Sequence, residues 1–140
     1  MFTKNFEEQL ADWKTFRESL EDSEDPFRQV LDFYKDAPPT RISCDPWDKS
    51  TWANPWELLE ENQYCEFGIV LGMCYSLQLT DRFKGSNFEI HNCRNNKKSE
   101  THYLLFVDDT VVGYEGEVVS REELPDALYS QTVYHMPELQ

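Results

Sequence analysis

The amino-acid order predicts an α+β domain, with N-terminal helices and one long central helix packed on a small antiparallel sheet. Three observations carry this expectation. Apolar residues recur at helical spacing as far as Leu79, the period changes to two from Phe88 onward, and short polar turns separate the alternating segments. A length of 140 residues suits one domain. Its 39% hydrophobic content, with nine Phe, seven Tyr and four Trp, supplies large side chains for one core. The expected organisation is therefore a single domain over 1–140: a helical pair over 1–37, a Trp/Pro-rich loop over 38–54, the central helix over 55–80 and the sheet over 87–136.

The first helix is carried by Phe6, Leu10, Trp13, Phe16 and Leu20, whose spacing puts all five on one stripe. The opposite face carries Glu7, Glu8, Asp12, Lys14, Arg17, Glu18 and Glu21, and Glu21 to Asp25 reads as a solvated connector. Asp25 before Pro26 is an N-cap and a first helical residue. Phe27, Val30, Leu31 and Tyr34 then repeat the helical spacing until Pro38-Pro39 stops it. Residues 38–54 have no periodicity and read as an ordered loop in which Trp47 and Trp52 stand in a polar frame. Asn54, Pro55 and Glu57 form the pattern of a reciprocal cap, which starts the central helix and predicts Trp56 buried at its base, with Asn62-Gln63 as a candidate break. From Phe67 to Leu79 the helix is apolar on nearly all sides, and Gly68 and Gly72 leave a smooth strip for close approach of another element.

Phe88, Ile90 and Asn92 alternate with Glu89, His91 and Cys93, and Thr101 to Val107 form a second strand after the polar turn Arg94 to Ser99. Asp108-Asp109-Thr110 is a turn and Val111 to Tyr114 a third strand, with Gly113 and Gly116 marking a bulge or bend. Ser120 and Glu123 make a capping box for a short helix, and Thr132 to Met136 supply a last edge strand.

The charge narrows the function classes. Twenty-seven Asp and Glu against 13 Lys and Arg give a net charge of -14, which repels phosphates and anionic lipid, so neither direct nucleic-acid binding nor membrane binding is expected. The longest apolar run, Phe67 to Cys74, is far short of the roughly 20 residues that span a bilayer. The N-terminus lacks a basic region followed by an apolar one, so a soluble, cytoplasmic protein is expected. Cys44, Cys65, Cys74 and Cys93 are widely spaced, as in a reducing compartment. His91 and Cys93 are the near pair of soft ligands and share a strand face, which falls short of a zinc set, and no calcium loop is present, so no metal site is expected. Phosphate-loop, dinucleotide and nucleophile-elbow motifs are absent, and no cofactor is expected.

One catalytic arrangement stands out in the order of residues. Cys65 as nucleophile, His102 as base and Asp108 or Asp109 as the acid orienting it would suit a hydrolase or acyltransferase of transglutaminase-like or papain-like type. In those enzymes the thiol begins a helix, whereas Cys65 follows a run that reads as helical from Pro55. His91 and His135 read as ordinary strand histidines.

At Asp45-Pro46-Trp47, Trp52, Pro55 to Asn62, Leu77 to Phe83 and Tyr103 to Asp109, the chain resembles small uncharacterised proteins of tailed phages (myovirus type) of marine cyanobacteria. The resemblance covers residues 26–116 and implies a viral protein acting in the host cytoplasm or within a virion. The expected function is that of a non-catalytic acidic interaction protein, an assembly component or modulator, binding a host or viral protein with a basic surface. Trp47 and Trp52 would anchor that partner and Asp45 and Asp48 would rim the contact. The cysteine hydrolase is the alternative. A further one is a DNA mimic using the acidic clusters Glu18 to Asp25 and Glu115 to Asp126.

Overall fold

Side-chain caps set where the helices begin in the computed structural model, which describes residues 1–40 and 45–137. Asn5 accepts from the Glu8 amide to start α1 (Phe6–Glu21), and Asp25 accepts from the Arg28 amide ahead of Pro26 to start α2 (Pro26–Phe33). Asn54 and Glu57 cap each other's backbone at the start of α3 (Pro55–Glu61). The expected central helix is divided at this point. Asn62 takes a left-handed conformation (φ 49°, ψ 38°) that ends α3, and Cys65 caps a new helix, α4 (Glu66–Gln78). Asn tolerates that backbone, and here its Nδ2 donates to the Phe2 carbonyl at 2.7 Å. The break also lets the Tyr64 amide donate to the Pro38 carbonyl at 2.8 Å and turns the Tyr64 ring into the core beside Phe2 and Tyr34.

The strands are β1 (Phe88–Asn95), β2 (Glu100–Val107), β3 (Thr110–Tyr114), β4 (Glu117–Ser120) and β5 (Leu128–Met136). They form one antiparallel sheet in the order β4-β3-β2-β1-β5, giving the α+β architecture. β4 is a strand the alternation did not reveal, and the capping box of Ser120 and Glu123 starts one 3-10 turn, Arg121–Glu123, rather than a helix. The chain must then travel from one edge of the sheet to the other to place β5 beside β1.

The two faces of the sheet are filled differently. Phe88, Ile90, Leu105, Val107 and Val112 join the main core with α4, against which α1, α2 and α3 also pack. Cys93, Leu104, Phe106 and Val111 form a second, smaller cluster on the other face, covered by Leu124 and Leu128 of the crossing connection and its approach to β5. In α4, Phe67, Leu71, Met73, Cys74, Ser76 and Leu77 are all at most 2% exposed, so the helix is covered on every side.

Ser76 ties three helical elements together at the centre of this core. Its hydroxyl donates to the Gly72 carbonyl at 2.8 Å and accepts from Trp13 Nε1 of α1 at 2.9 Å and from the Tyr34 hydroxyl, just past α2, at 3.0 Å. One donor and two acceptor positions are thereby all used. Burial pushes the Tyr34 phenol up to about 12, with its bonds to Ser76 and Trp13 pulling the other way, so the ring stays neutral. Gly72 lies directly beneath it: a Cβ at that position would stand 2.6 Å from Tyr34 Cε1.

Trp56 departs from its expected burial and is 49% exposed. The inward stripe of the seven-residue α3 is taken by Leu58 and Leu59, and Trp56 sits about 200° around the helix from Leu58. Its ring still meets Trp13 edge to face at 5.6 Å.

Three substitutions test this packing by urea unfolding. Gly72→Ala should destabilise by about 3 kcal/mol, because the buried Tyr34 ring must move. Gly68→Ala, where the nearest atom to a new Cβ is Cys65 Sγ at 3.5 Å, should be neutral or gain up to about 1 kcal/mol of helix propensity. Ser76→Ala strands the Trp13 and Tyr34 donors and should cost roughly 2–4 kcal/mol.

Candidate functional site

The cysteine arrangement does not assemble. Cys65 does begin a helix, contrary to the reading of a continuous run from Pro55: it is the N-cap of α4, half-buried, with Sγ accepting from the Gly68 amide at 3.2 Å. With Trp52, Glu57, Leu58 and Glu61 it lines a cleft of about 400 Å³. His102, however, belongs to the other side of the sheet. It pairs with Cys93 across β1 and β2, packs edge to face on Tyr114 at 5.4 Å, and has Nε2 3.3 Å from Glu100, whereas Cys65 packs against the main core. Asp108 is six residues along the chain from His102, about 20 Å in an extended strand, and accepts from the Asn87 amide at 2.9 Å. The Asp109 side chain is fully exposed in the same turn, 4.0 Å from Arg121 Nε.

The Trp-bearing loop is built by its own polar groups. Asp45 Oδ1 accepts from the Trp47 amide at 2.9 Å, and Asp48 Oδ1 accepts from the Ser50 amide and hydroxyl at 3.1 and 2.6 Å. Trp52 Nε1 donates to the Asp45 carbonyl at 2.9 Å, and its half-buried ring packs on Phe67 and Tyr134 at 4.7 and 4.8 Å. Trp52 therefore pins the loop to the core, while Trp47 stands 48% exposed. Asn92 Nδ2 reaches the Pro46 carbonyl at 2.8 Å and Lys49 Nζ the His135 carbonyl at 3.2 Å, so the loop is tied to β1 and β5 as well. Residues 41–44, with Cys44, lie outside the described residues.

A polar cluster that the sequence analysis passed over lies on the outer face of the sheet. Alternation along β1 puts Glu89 and His91 on that face, 8% and 6% exposed. Glu89 Oε1 receives His91 Nε2 and Arg121 Nη2, each at 2.9 Å, and Oε2 lies 3.2 Å from His135 Nδ1 and 3.4 Å from Asn87 Nδ2. The other ring nitrogen, His91 Nδ1, is 2.7 Å from Ser130 Oγ of β5. The imidazole stacks on Phe106 at 3.7 Å and 13°, and the Arg121 guanidinium covers the same ring at 4.6 Å.

Ser130 reaches His91 because of a bulge. Asn92 pairs with Thr132 but the next residue, Cys93, pairs with Ser130, leaving Gln131 as the extra residue on β5. Regular pairing would set Gln131 opposite Cys93 and turn Ser130 to the other face. The Glu-x-His spacing was visible in the sequence, but its third member depended on this bulge.

Electrostatics settle the protonation states. Burial would raise the Glu89 carboxyl, but hydrogen bonds from His91, Arg121 and Asn87 outweigh it and hold the group at about 2. Burial pushes the His91 imidazole below its usual value, overcoming the opposite pull of Glu89, so the ring is neutral at pH 7. A carboxylate only accepts, so the ring hydrogen sits on Nε2 and the Nδ1 lone pair faces the Ser130 hydroxyl. Among the described residues, no group of three or more His, Cys, Asp or Glu stands where it would hold a metal ion, and no helix is long and apolar enough to cross a membrane.

The lowered Glu89 pKa has a definite sign. Above the usual value of 4.5 the carboxyl is ionised folded and unfolded alike, and as pH falls from there toward about 2 the unfolded chain takes up a proton that the folded one refuses. Stability contributed by this group is thus lost on acidification. Urea unfolding at about pH 5 and about pH 3 should show a smaller acid-induced loss in Glu89→Gln than in the wild type, and equal losses would contradict the assignment.

Compared with known protein families, curated proteins and solved structures, the chain matches none.

Proposed function

We propose that this chain is an acidic interaction protein that docks on a basic surface of a protein partner, a viral or host protein in the setting implied by its resemblance to phage proteins. One observation carries this reading: Trp47 and Trp56 are 48% and 49% exposed on segments rich in carboxylates. Asp45 and Asp48 flank Trp47 in sequence. Glu57 follows Trp56, and Glu60 lies one helical turn beyond it on α3. Exposed indoles supply contact area at small entropic cost, and the surrounding charge selects a complementary partner and speeds the encounter. Both supports are stiff. The Trp47 loop is held by the bonds of Asp45 and Asp48, and α3 is locked by its reciprocal cap. With a net charge of -14, the partner that suits this surface is cationic.

A DNA mimic needs its carboxylates free to imitate phosphates, and the two acidic clusters are partly committed within the chain. Glu21 accepts from the Asp81 and Arg82 amides at 2.9 and 2.8 Å, and Glu117 pairs with Arg28 at 3.0 Å. Docking through indoles is therefore favoured over phosphate mimicry.

Affinity capture from infected host cells, followed by titration of the captured protein, tests the reading. Trp47→Ala and Trp56→Ala should each weaken binding by roughly 2 kcal/mol or more; Trp47→Ala should change stability by less than about 1 kcal/mol, while Trp56→Ala, which also loses the edge-to-face contact with Trp13, should cost about 1–2 kcal/mol. Affinity should fall steeply as salt rises, since exposed carboxylates are screened over about 8 Å at physiological ionic strength. A partner bound equally well by the double variant, or indifferently to salt, would overturn the reading.

A further inference from the structure

We propose that Ser130 is an activated nucleophile that accepts an acyl group from a carboxylic ester, with His91 as its base and Glu89 as the positioning residue that fixes the tautomer of the base. The site is separate from the docking indoles and does not depend on them.

The geometry provides each part of the relay. Ser130 is exposed on the edge strand β5, and the imidazole that its hydroxyl contacts is buried. The Oγ to Nδ1 distance of 2.7 Å is within range for proton transfer. Glu89 holds the hydrogen of His91 on Nε2 at 2.9 Å and is itself fixed by Arg121 and Asn87. The Phe106 ring beneath the imidazole sets its plane. Cys93, with Sγ 3.6 Å from Ser130 Oγ, is no rival nucleophile, since burial raises its thiol pKa.

The step balances as follows. Ser130 Oγ attacks the ester carbonyl carbon, and its proton passes to His91 Nδ1. The carbon–oxygen bond to the alcohol then breaks, and the departing alkoxide takes that proton and leaves as the alcohol. The product is an ester on Ser130 and a neutral His91. Water attacking that ester, with its proton passing through the same nitrogen, returns the serine and releases the carboxylic acid. The His91 Nε2 proton stays toward Glu89 throughout.

The full chain, incubated with p-nitrophenyl acetate and in parallel with a fluorophosphonate, tests this directly. The fluorophosphonate exchanges its P–F bond for a P–O bond to serine and releases fluoride. Peptide mapping should place the phosphonyl group on Ser130, and p-nitrophenol release should be lost in Ser130→Ala, whose circular dichroism should match the wild type because the side chain is exposed. His91→Gln should slow both reactions at least about 100-fold. The wild-type rate should fall as pH drops through the His91 pKa, at a midpoint below 6.5. In Glu89→Gln that midpoint should fall, because the carboxylate that favours the imidazolium is gone, and the high-pH plateau, where the ring is neutral in both proteins, should fall as well, which a shifted pKa alone would not cause. An unlabelled wild type, a label that persists in Ser130→Ala, or a rate unaffected by His91→Gln would each overturn the proposal.

Discussion

The structure depends on covering helix α4 on every side. Its side chains are apolar around nearly the whole circumference, so stability requires other elements on all of them: α1 and α2, α3, and the inner face of the sheet. Apolar contact is non-directional and would permit these elements to slide. Ser76 removes that freedom, because its single hydroxyl is saturated by Gly72, Trp13 and Tyr34 at once, which fixes α1 and the end of α2 against one turn of α4. The bare backbone of Gly72 lets the Tyr34 ring come close enough for that bond.

Enclosing α4 leaves little room for polar chemistry in the main core, and the chain places it elsewhere. The outer face of the sheet holds a small apolar cluster at one part and the Glu89–His91 network at another, joined by Phe106, which stacks on His91 and lies under Arg121. Arg121 comes from the connection that must cross the sheet to deliver β5. One topological requirement thus supplies the lid of the second cluster, a cation that helps His91 and Asn87 hold Glu89 ionised, and the strand that bears Ser130.

Much of this was readable from residue order, since local signals and tertiary structure agree along most of the chain. The Asp25 and Asn54 caps act through bonds spanning three residues, and the α1 stripe and the β1 alternation each follow one period. The division of the central helix was harder to read. Asn62 was marked as a break, but the new start at Cys65 relies on a thiol acting as N-cap and on long-range bonds from Asn62 to Phe2 and from Tyr64 to Pro38. Trp56 is half-exposed because α3 turns Pro55, Leu58 and Leu59 inward and leaves the indole at the edge of that face, against Trp13. The outer-face site needed two facts that no local pattern carries: the return of β5 beside β1, and the single extra residue at Gln131 that turns Ser130 toward His91. Cys65, His102 and Asp108 do not come together, because alternation along β2 turns His102 away from the main core, while residue order does not say that α4, with Cys65 at its start, packs on the opposite face.

Native-state hydrogen exchange, read residue by residue as denaturant is raised, tests the central role of α4 most directly. If α4 is the enclosed element on which the rest is assembled, its hydrogen-bonded amides from Ile69 onward and the Trp13 indole N–H exchange solely through global unfolding. They should share one free energy and one denaturant dependence, while the exposed indoles of Trp47 and Trp56 exchange freely. Exchange of α4 or of the Trp13 indole through a local opening, with the sheet amides still protected, would contradict the account and shift the organising role to the sheet.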